Sequence, residues 1–406
     1  MDVSGRIRHE ASALWAGGKG KALVTIALGW GLLNGTRMIY PVLLPSISTE
    51  FDLGLTAAGF LITLIWVSYA IGQVPGGVLA DRYGERTVLL ASVAIVAGAL
   101  LVVVLAPTAG VLFVGTALLG LGLSLYPVAR ITVLSELYPD RIGRALGVTM
   151  ATGDTGQTLL PLAAGVLVVG TWQVGLAFVV PLLIVIALLL ARTPLPATTH
   201  AQRSNDDLSL QRCKYVLGEL RHPTLLTMGV LLFVYIGVLQ TFSAFYPTYL
   251  ISVKGFSPAA ASGLFSMFFA VGIVAKPLAG VPYDAIGIRR SLPIVLGGAV
   301  VGFALLPVLS GFWPLALDTV LISTMLGSGA ITQSYLSETI PAEIEGTGLG
   351  AIRSGASLLG SMGPVLFGAI AERGLFDTGY LLSAILLGLV TLLTFRLPRD
   401  RPSGAA

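Results

Sequence analysis

Charge is what this chain has least of. Of 406 residues only 11% are Asp, Glu, Lys or Arg, against about 25% in soluble proteins, which excludes an ordinary soluble enzyme. A single cysteine, Cys213, excludes an internal disulfide framework, and it lies in a polar stretch. The three histidines, at positions 9, 200 and 222, all fall in polar segments. There is no zinc-type spacing, no metal-ligand cluster and no P-loop, so no cofactor, metal or ATP chemistry is expected. The net charge of +4 reflects basic residues beside a membrane rather than a nucleic-acid partner. Residues 1–21 are polar, with no cleavage site after a short apolar core, so no cleaved signal is expected.

What is present is apolar. Hydrophobic residues make up 55% of the chain, the mean hydropathy is +0.89, and there are 50 glycines, as expected where bilayer helices pack closely. A span needs about 20 apolar residues. Twelve are read, at 22–46, 56–80, 87–106, 110–137, 145–168, 173–191, 223–251, 258–281, 291–310, 314–339, 347–371 and 379–396. The expected fold is therefore an all-α membrane protein of twelve transmembrane helices. The pattern breaks at 192–222, a polar segment with Pro194, Pro196, Asp206 and Asp207. The expected organisation is an N-terminal segment at 1–21 with a short amphipathic helix, a six-helix bundle at 22–191, a linker at 192–222, a second bundle at 223–396 and a tail at 397–406. With both termini inside, inner segments hold eighteen Lys and Arg and outer loops only Lys254 and Arg373. The positive-inside rule then puts both termini and the linker in the cytoplasm, and the chain in the plasma membrane.

The two halves are copies. Gly77-Val78-Leu79-Ala80-Asp81-Arg82-Tyr83-Gly84-Glu85-Arg86 returns 203 residues later as Gly280-Val281-Pro282-Tyr283-Asp284-Ala285-Ile286-Gly287-Ile288-Arg289. Ser135-Glu136-Leu137-Tyr138-Pro139 returns after 202 residues as Ser337-Glu338-Thr339-Ile340-Pro341. Two matched pairs at one period indicate an internal duplication. The glycines permit tight turns, Asp81 can accept from free N–H groups at a helix start or from an arginine, and Arg86 can fork onto a carboxylate.

The first stretch resembles the loop signature of the major facilitator superfamily, G-x-x-x-D-R-x-G-R-R/K, between helices 2 and 3. Glu85 departs from it where a base is usual, and Ala285 replaces the arginine in the second copy. The resemblance implies two pseudo-symmetric six-helix bundles that carry a small solute by alternating access, with substrate near the midplane. It also implies that Gly77, Asp81, Arg82, Gly84, Arg86, Asp284 and Arg289 form conformational loops. Glu136 is then expected to meet Arg353, with Arg144 nearby, and Glu338 to meet Arg289 or Arg290, as bridges that close the inner side.

Charges inside spans usually face the bundle interior, and six are candidates: Arg37, Arg130, Asp154, Lys276, Asp318 and Arg353. Asn34, Arg37 and Pro41 share one face of the first span, with Tyr40 beside them. Gln240 and Ser243 lie in the corresponding stretch of the seventh. Arg130 is about 13 Å from the inner end of its span, and Asp154 lies nearly as deep in the next. They read as a substrate or proton-coupling pair, or equally as a structural ion pair. Lys276 reads as snorkelling inward and Asp318 as sitting at the outer interface. Arg37 and Arg130 against Asp154 leave excess positive charge, whose natural partner is an anion. Organic-anion carriers of the superfamily resemble this arrangement, although the spacing from Arg130 to Pro139 departs from theirs. The expected function is secondary transport of a small organic anion, coupled to protons or another ion, by a monomer in the lipid bilayer. The alternatives are efflux of drugs or amphipathic solutes and a non-transporting membrane sensor. The antiporter signature G-P-x-x-G-G is absent from the fifth span, which weighs against efflux.

Overall fold

The computed structural model describes residues 15, 18–168, 171–195, 218–219, 221–341 and 344–398. Most of the expected N-terminal helix, linker and tail, together with Cys213, lies outside them. The long helices are α1 Lys19–Glu50, α2 Leu55–Tyr83, α3 Glu85–Val104, α4 Ala109–Leu137, α5 Ile142–Leu167, α6 Trp172–Arg192, α7 Pro223–Ser252, α8 Pro258–Ile286, α9 Ile288–Leu305, α10 Phe312–Thr339, α11 Gly348–Ala371 and α12 Phe376–Arg396. A hydrocarbon core offers the backbone no water, so runs this apolar satisfy their polar groups as helices.

Among the described residues, eleven helices are long and apolar enough to cross a membrane. The twelfth, α5, has 26 residues, about 39 Å at helical rise, and is long enough to cross. Its lower apolarity comes from Arg144, Asp154, Gln157 and a stripe of threonines. Thr149, Thr152, Thr155 and Thr158 each return their hydroxyls to carbonyls of their own helix, which hides that polarity.

The repeated motif has a simple local cause. Gly84 and Gly287 each occupy a positive φ, of 82° and 70°, and each is the residue from which the next helix starts. Only glycine takes that backbone without strain, so one residue reverses the chain between α2 and α3 and again between α8 and α9. The motif arginines are likewise copied in space. Arg86 donates to the Ala191 carbonyl at the end of α6, and Arg289 donates to the Phe395 carbonyl at the end of α12. A cation on a helix C-terminus satisfies an orphan carbonyl and opposes the helix dipole.

The chain divides into two compact units, Met1–Ile39 with Val67–Ala201, and Tyr40–Trp66 with Gln202–Ala406. The sequence reading placed all of α1 and α2 in the first. In the structure the end of α1 and the start of α2 group with the second because they pack on α11. Thr63 donates to the Ser361 carbonyl at 2.7 Å, and a Cβ on Gly59 or Gly368 would strike Pro364 or Leu55 backbone. In the first unit α1 crosses α5 with backbones touching, since a Cβ on Gly156 would run into the Gly31 carbonyl and one on Gly35 into the Gly156 carbonyl. Small residues spaced four apart permit such approaches.

Candidate solute site

The α1–α5 crossing presents Trp30 to α4. Arg130, 4% exposed, lies with its guanidinium carbon 4.0 Å from the centre of the Trp30 ring. Its Nη1 donates to Thr149 Oγ1 on α5 at 2.8 Å, and that hydroxyl passes its own proton to the Leu146 carbonyl at 2.9 Å. Trp30 is backed by Tyr126, whose ring stacks at 6.3 Å and whose hydroxyl donates to the Ile26 carbonyl at 2.9 Å. The arginine is thus held by a ring face and a neutral hydroxyl. Among the described residues no carboxylate pairs with it, and its buried Nε has no hydrogen-bond partner.

Arg37 is set on the same helix as Trp30, two turns further on. Asn34 orients it, donating its Nδ2 to the Trp30 carbonyl at 2.9 Å while its Oδ1 accepts from Arg37 Nη2 at 3.0 Å. Tyr69 on α2 lies against the guanidinium, 5.4 Å from ring centre to Cζ. Here too the described partners are neutral, and Arg37 is half-buried. Tyr40, the next residue on this face, is fully buried.

Asp154 is half-buried and accepts from Gln157 Nε2 at 3.5 Å. Although it lies close in depth to Arg130, the structure gives Arg130 Thr149 as its α5 partner. The sequence reading also missed Trp30. Its signal was available, because Trp30, Asn34 and Arg37 fall at spacings of four and three and so share a face.

In the second unit Gln240 and Ser243 are buried on α7 at 2% and 5% exposure, and Gln240 Oε1 has no hydrogen-bond partner. Arg353 is exposed and donates to Gln333 Oε1 at 2.5 Å. Glu338 accepts from the Tyr283 hydroxyl at 2.8 Å. Glu136, Arg144, Asp81, Arg82 and Asp284 are all exposed at helix ends, and Gly77 is half-buried. Lys276 is half-buried. Asp318 corrects the sequence reading, since it is 1% exposed rather than at an interface. Its distance from the helix end suggested a rim position, but the rotation of α10 turns it toward α9.

A family model described as Major Facilitator Superfamily matches residues 25–337. The chain belongs to the major facilitator superfamily. It is 26% identical over 361 residues to the cis,cis-muconate transport protein of Acinetobacter baylyi, covering 84% of this chain and 85% of that one. It is also 26% identical over 374 residues to the fosmidomycin resistance protein of Escherichia coli, covering 89% and 88%. A crystal structure of a D-xylose-proton symporter superposes with a TM-score of 0.75 at 16% identity, covering 93% of this chain and 98% of that one, which establishes the shared fold. This member of the superfamily is accordingly a multi-pass membrane transporter of a small solute, not an enzyme.

Proposed function

We propose that this transporter carries a small organic anion by alternating access, with Arg130 and Arg37 as the groups that bind its negative charge. The observation that carries the reading is Arg130, which is buried, without a carboxylate among the described residues, and has a vacant Nε donor. A buried cation without a counter-charge is costly, and a carboxylate on the solute offsets that cost through charge-assisted hydrogen bonds. The Trp30 ring leaves the guanidinium edge as the remaining direction for a ligand. The similarity to a muconate transport protein favours a carboxylic acid as that ligand. Asn34 on α1 belongs to this reading as a neutral contact for the rest of the solute.

Proton coupling is part of the proposal, and a carboxylate within a span would be its carrier. Both termini are assigned to the cytoplasmic side of the plasma membrane by the basic-residue asymmetry. The Gly77–Arg86 and Gly280–Arg289 motifs, with Glu136, Arg144, Glu338 and Arg353, are assigned to switching between states. The similarity to a resistance protein keeps efflux as the second reading. The test is counterflow of labelled cis,cis-muconate in proteoliposomes. Exchange in the wild type and its loss in Arg130→Ala would support the anion reading. Efflux of amphipathic compounds, unaffected by Arg130→Ala and without muconate exchange, would replace it.

A further inference from the structure

We propose that Asp318, sealed between α7, α9 and α10, is a proton-binding site of this transporter. It is 1% exposed, and neither carboxylate oxygen has a hydrogen-bond partner. The Thr319 and Tyr246 hydroxyls beside it are already engaged. Thr319 Oγ1 donates to the Leu315 carbonyl at 2.6 Å and lies 2.6 Å from the Tyr246 hydroxyl. On the α9 side Gly302 approaches it, where an added Cβ would sit 3.2 Å from Asp318 Oδ1.

Every element packed round the carboxylate can be checked for a counter-charge. α7 contributes Tyr246 and Tyr249, and the segment just past its end contributes Lys254. Lys254 is a nearby cation that acts on the carboxylate through space, but its ammonium donates to the Pro307 carbonyl at 2.7 Å and makes no hydrogen bond to either carboxylate oxygen. α12 contributes Tyr380 and Asp377, and Asp377 accepts from the Tyr249 hydroxyl at 2.6 Å. α9 carries Arg289 and Arg290 at its opposite end, about 20 Å from Gly302 at helical rise. The adjoining turns of α8, residues 258–269, hold no titratable side chain.

An ionised carboxylate so placed has neither water nor a donor to replace its lost hydration. A bound proton removes the charge and needs only the one oxygen. A metal ion needs several ligands, and among the described residues no group of three His, Cys, Asp or Glu side chains could hold one. An ionisable residue buried inside a span with no structural partner is the expected signature of an ion-handling position. Asp154, deep in α5, is by contrast half-buried with Gln157 as a donor. The end of the bundle that holds Lys254 and Tyr249 is the entry for the proton. Opening of that end exposes Asp318 for loading and its closure leaves the neutral acid.

The protonation needs no knowledge of the cargo, while its use in coupling rests on the transport reading above. The experiment therefore has two arms. Infrared difference spectra of the purified full-length protein in nanodiscs at neutral pH should contain a buried carboxylic-acid carbonyl band. That band should shift when aspartate is labelled with carbon-13 at the side-chain carboxyl, and should vanish in Asp318→Asn but persist in Asp154→Asn. In proteoliposomes that exchange cis,cis-muconate, an imposed pH gradient should accelerate uptake in the wild type but not in Asp318→Asn, which should retain exchange at equal pH. Absence of a label-sensitive band in the wild type overturns the proposal even if the variant does not fold. A band that survives in a folded Asp318→Asn overturns it too, as does stimulation by a sodium gradient alone. Absence of any muconate exchange with the band present counts against the anion reading only.

Discussion

Arg130 rests on the face of Trp30, with 4.0 Å between the guanidinium carbon and the ring centre. The two residues come from α4 and α1, which meet here because α1 lies directly against α5. A cation over an indole face is worth about 0.5–2 kcal/mol, and the stack orients the guanidinium as well as stabilising it. Trp30→Leu should therefore weaken anion binding by about 2- to 30-fold without abolishing it. Arg130→Lys, which keeps the charge and loses the planar fork, should weaken binding by about tenfold or more. Binding titrations of cis,cis-muconate against both variants check this, and equal affinity of Arg130→Lys and wild type would remove the fork from the argument.

Among the described residues Thr149 is the one hydroxyl that accepts from Arg130. Thr149→Val keeps the shape and leaves a buried guanidinium N–H without an acceptor, which costs about 1–3 kcal/mol. The melting temperature in detergent should fall, and added muconate should restore part of the loss by mass action. A variant as stable as the wild type would mean that Nη1 finds another acceptor.

Gly156 sets the distance between α1 and α5, because a Cβ there meets the Gly31 carbonyl. Gly156→Ala should destabilise by about 1–3 kcal/mol through overpacking and draw Trp30 away from Arg130. Thermal unfolding measures the first effect. Tryptophan fluorescence measures the second, read in a background where Trp15, Trp66, Trp172 and Trp313 are replaced by Phe.

Glu372, just past the end of α11, accepts from both the backbone N–H and the hydroxyl of Thr56 at the start of α2. These bonds hold its carboxyl below the usual glutamate range, which is about 4.3. A group whose folded pKa is depressed contributes stability above its unfolded value and loses it as pH falls through the folded one. Glu372→Gln should therefore melt below the wild type at neutral pH. The difference should narrow as the pH drops below about 4.3 and close once the wild-type carboxyl is protonated. Because the group is exposed the effect is small, and a difference that widens toward acid would contradict the assignment.

Much of this architecture could be read from residue order alone. Apolar runs of about 20 residues give the spans, and the copies at 77–86 and 280–289 give the duplication. Gly84 and Gly287 could be placed at turns because a positive φ selects glycine over every side chain. The depths of Arg130 and Asp154 were also legible, since helical rise converts position into distance along the bilayer normal.

What the order of residues could not give was rotation about each helix axis. Asp154 follows Thr149 by five residues, about 140° round α5 and about 7.5 Å along it, so the two face different neighbours and Thr149 is the one that reaches Arg130. The same reason hid Asp318, whose distance from the helix end placed it at a rim while the packing of α10 on α9 turned it inward. Composition and period determined that this is a duplicated membrane protein of many spans, and the motif at 77–86 gave its resemblance to a transporter family. Which charges stand in the interior without a counter-charge was decided by how closely the glycine faces let the helices approach, because that contact sets the azimuth of every side chain.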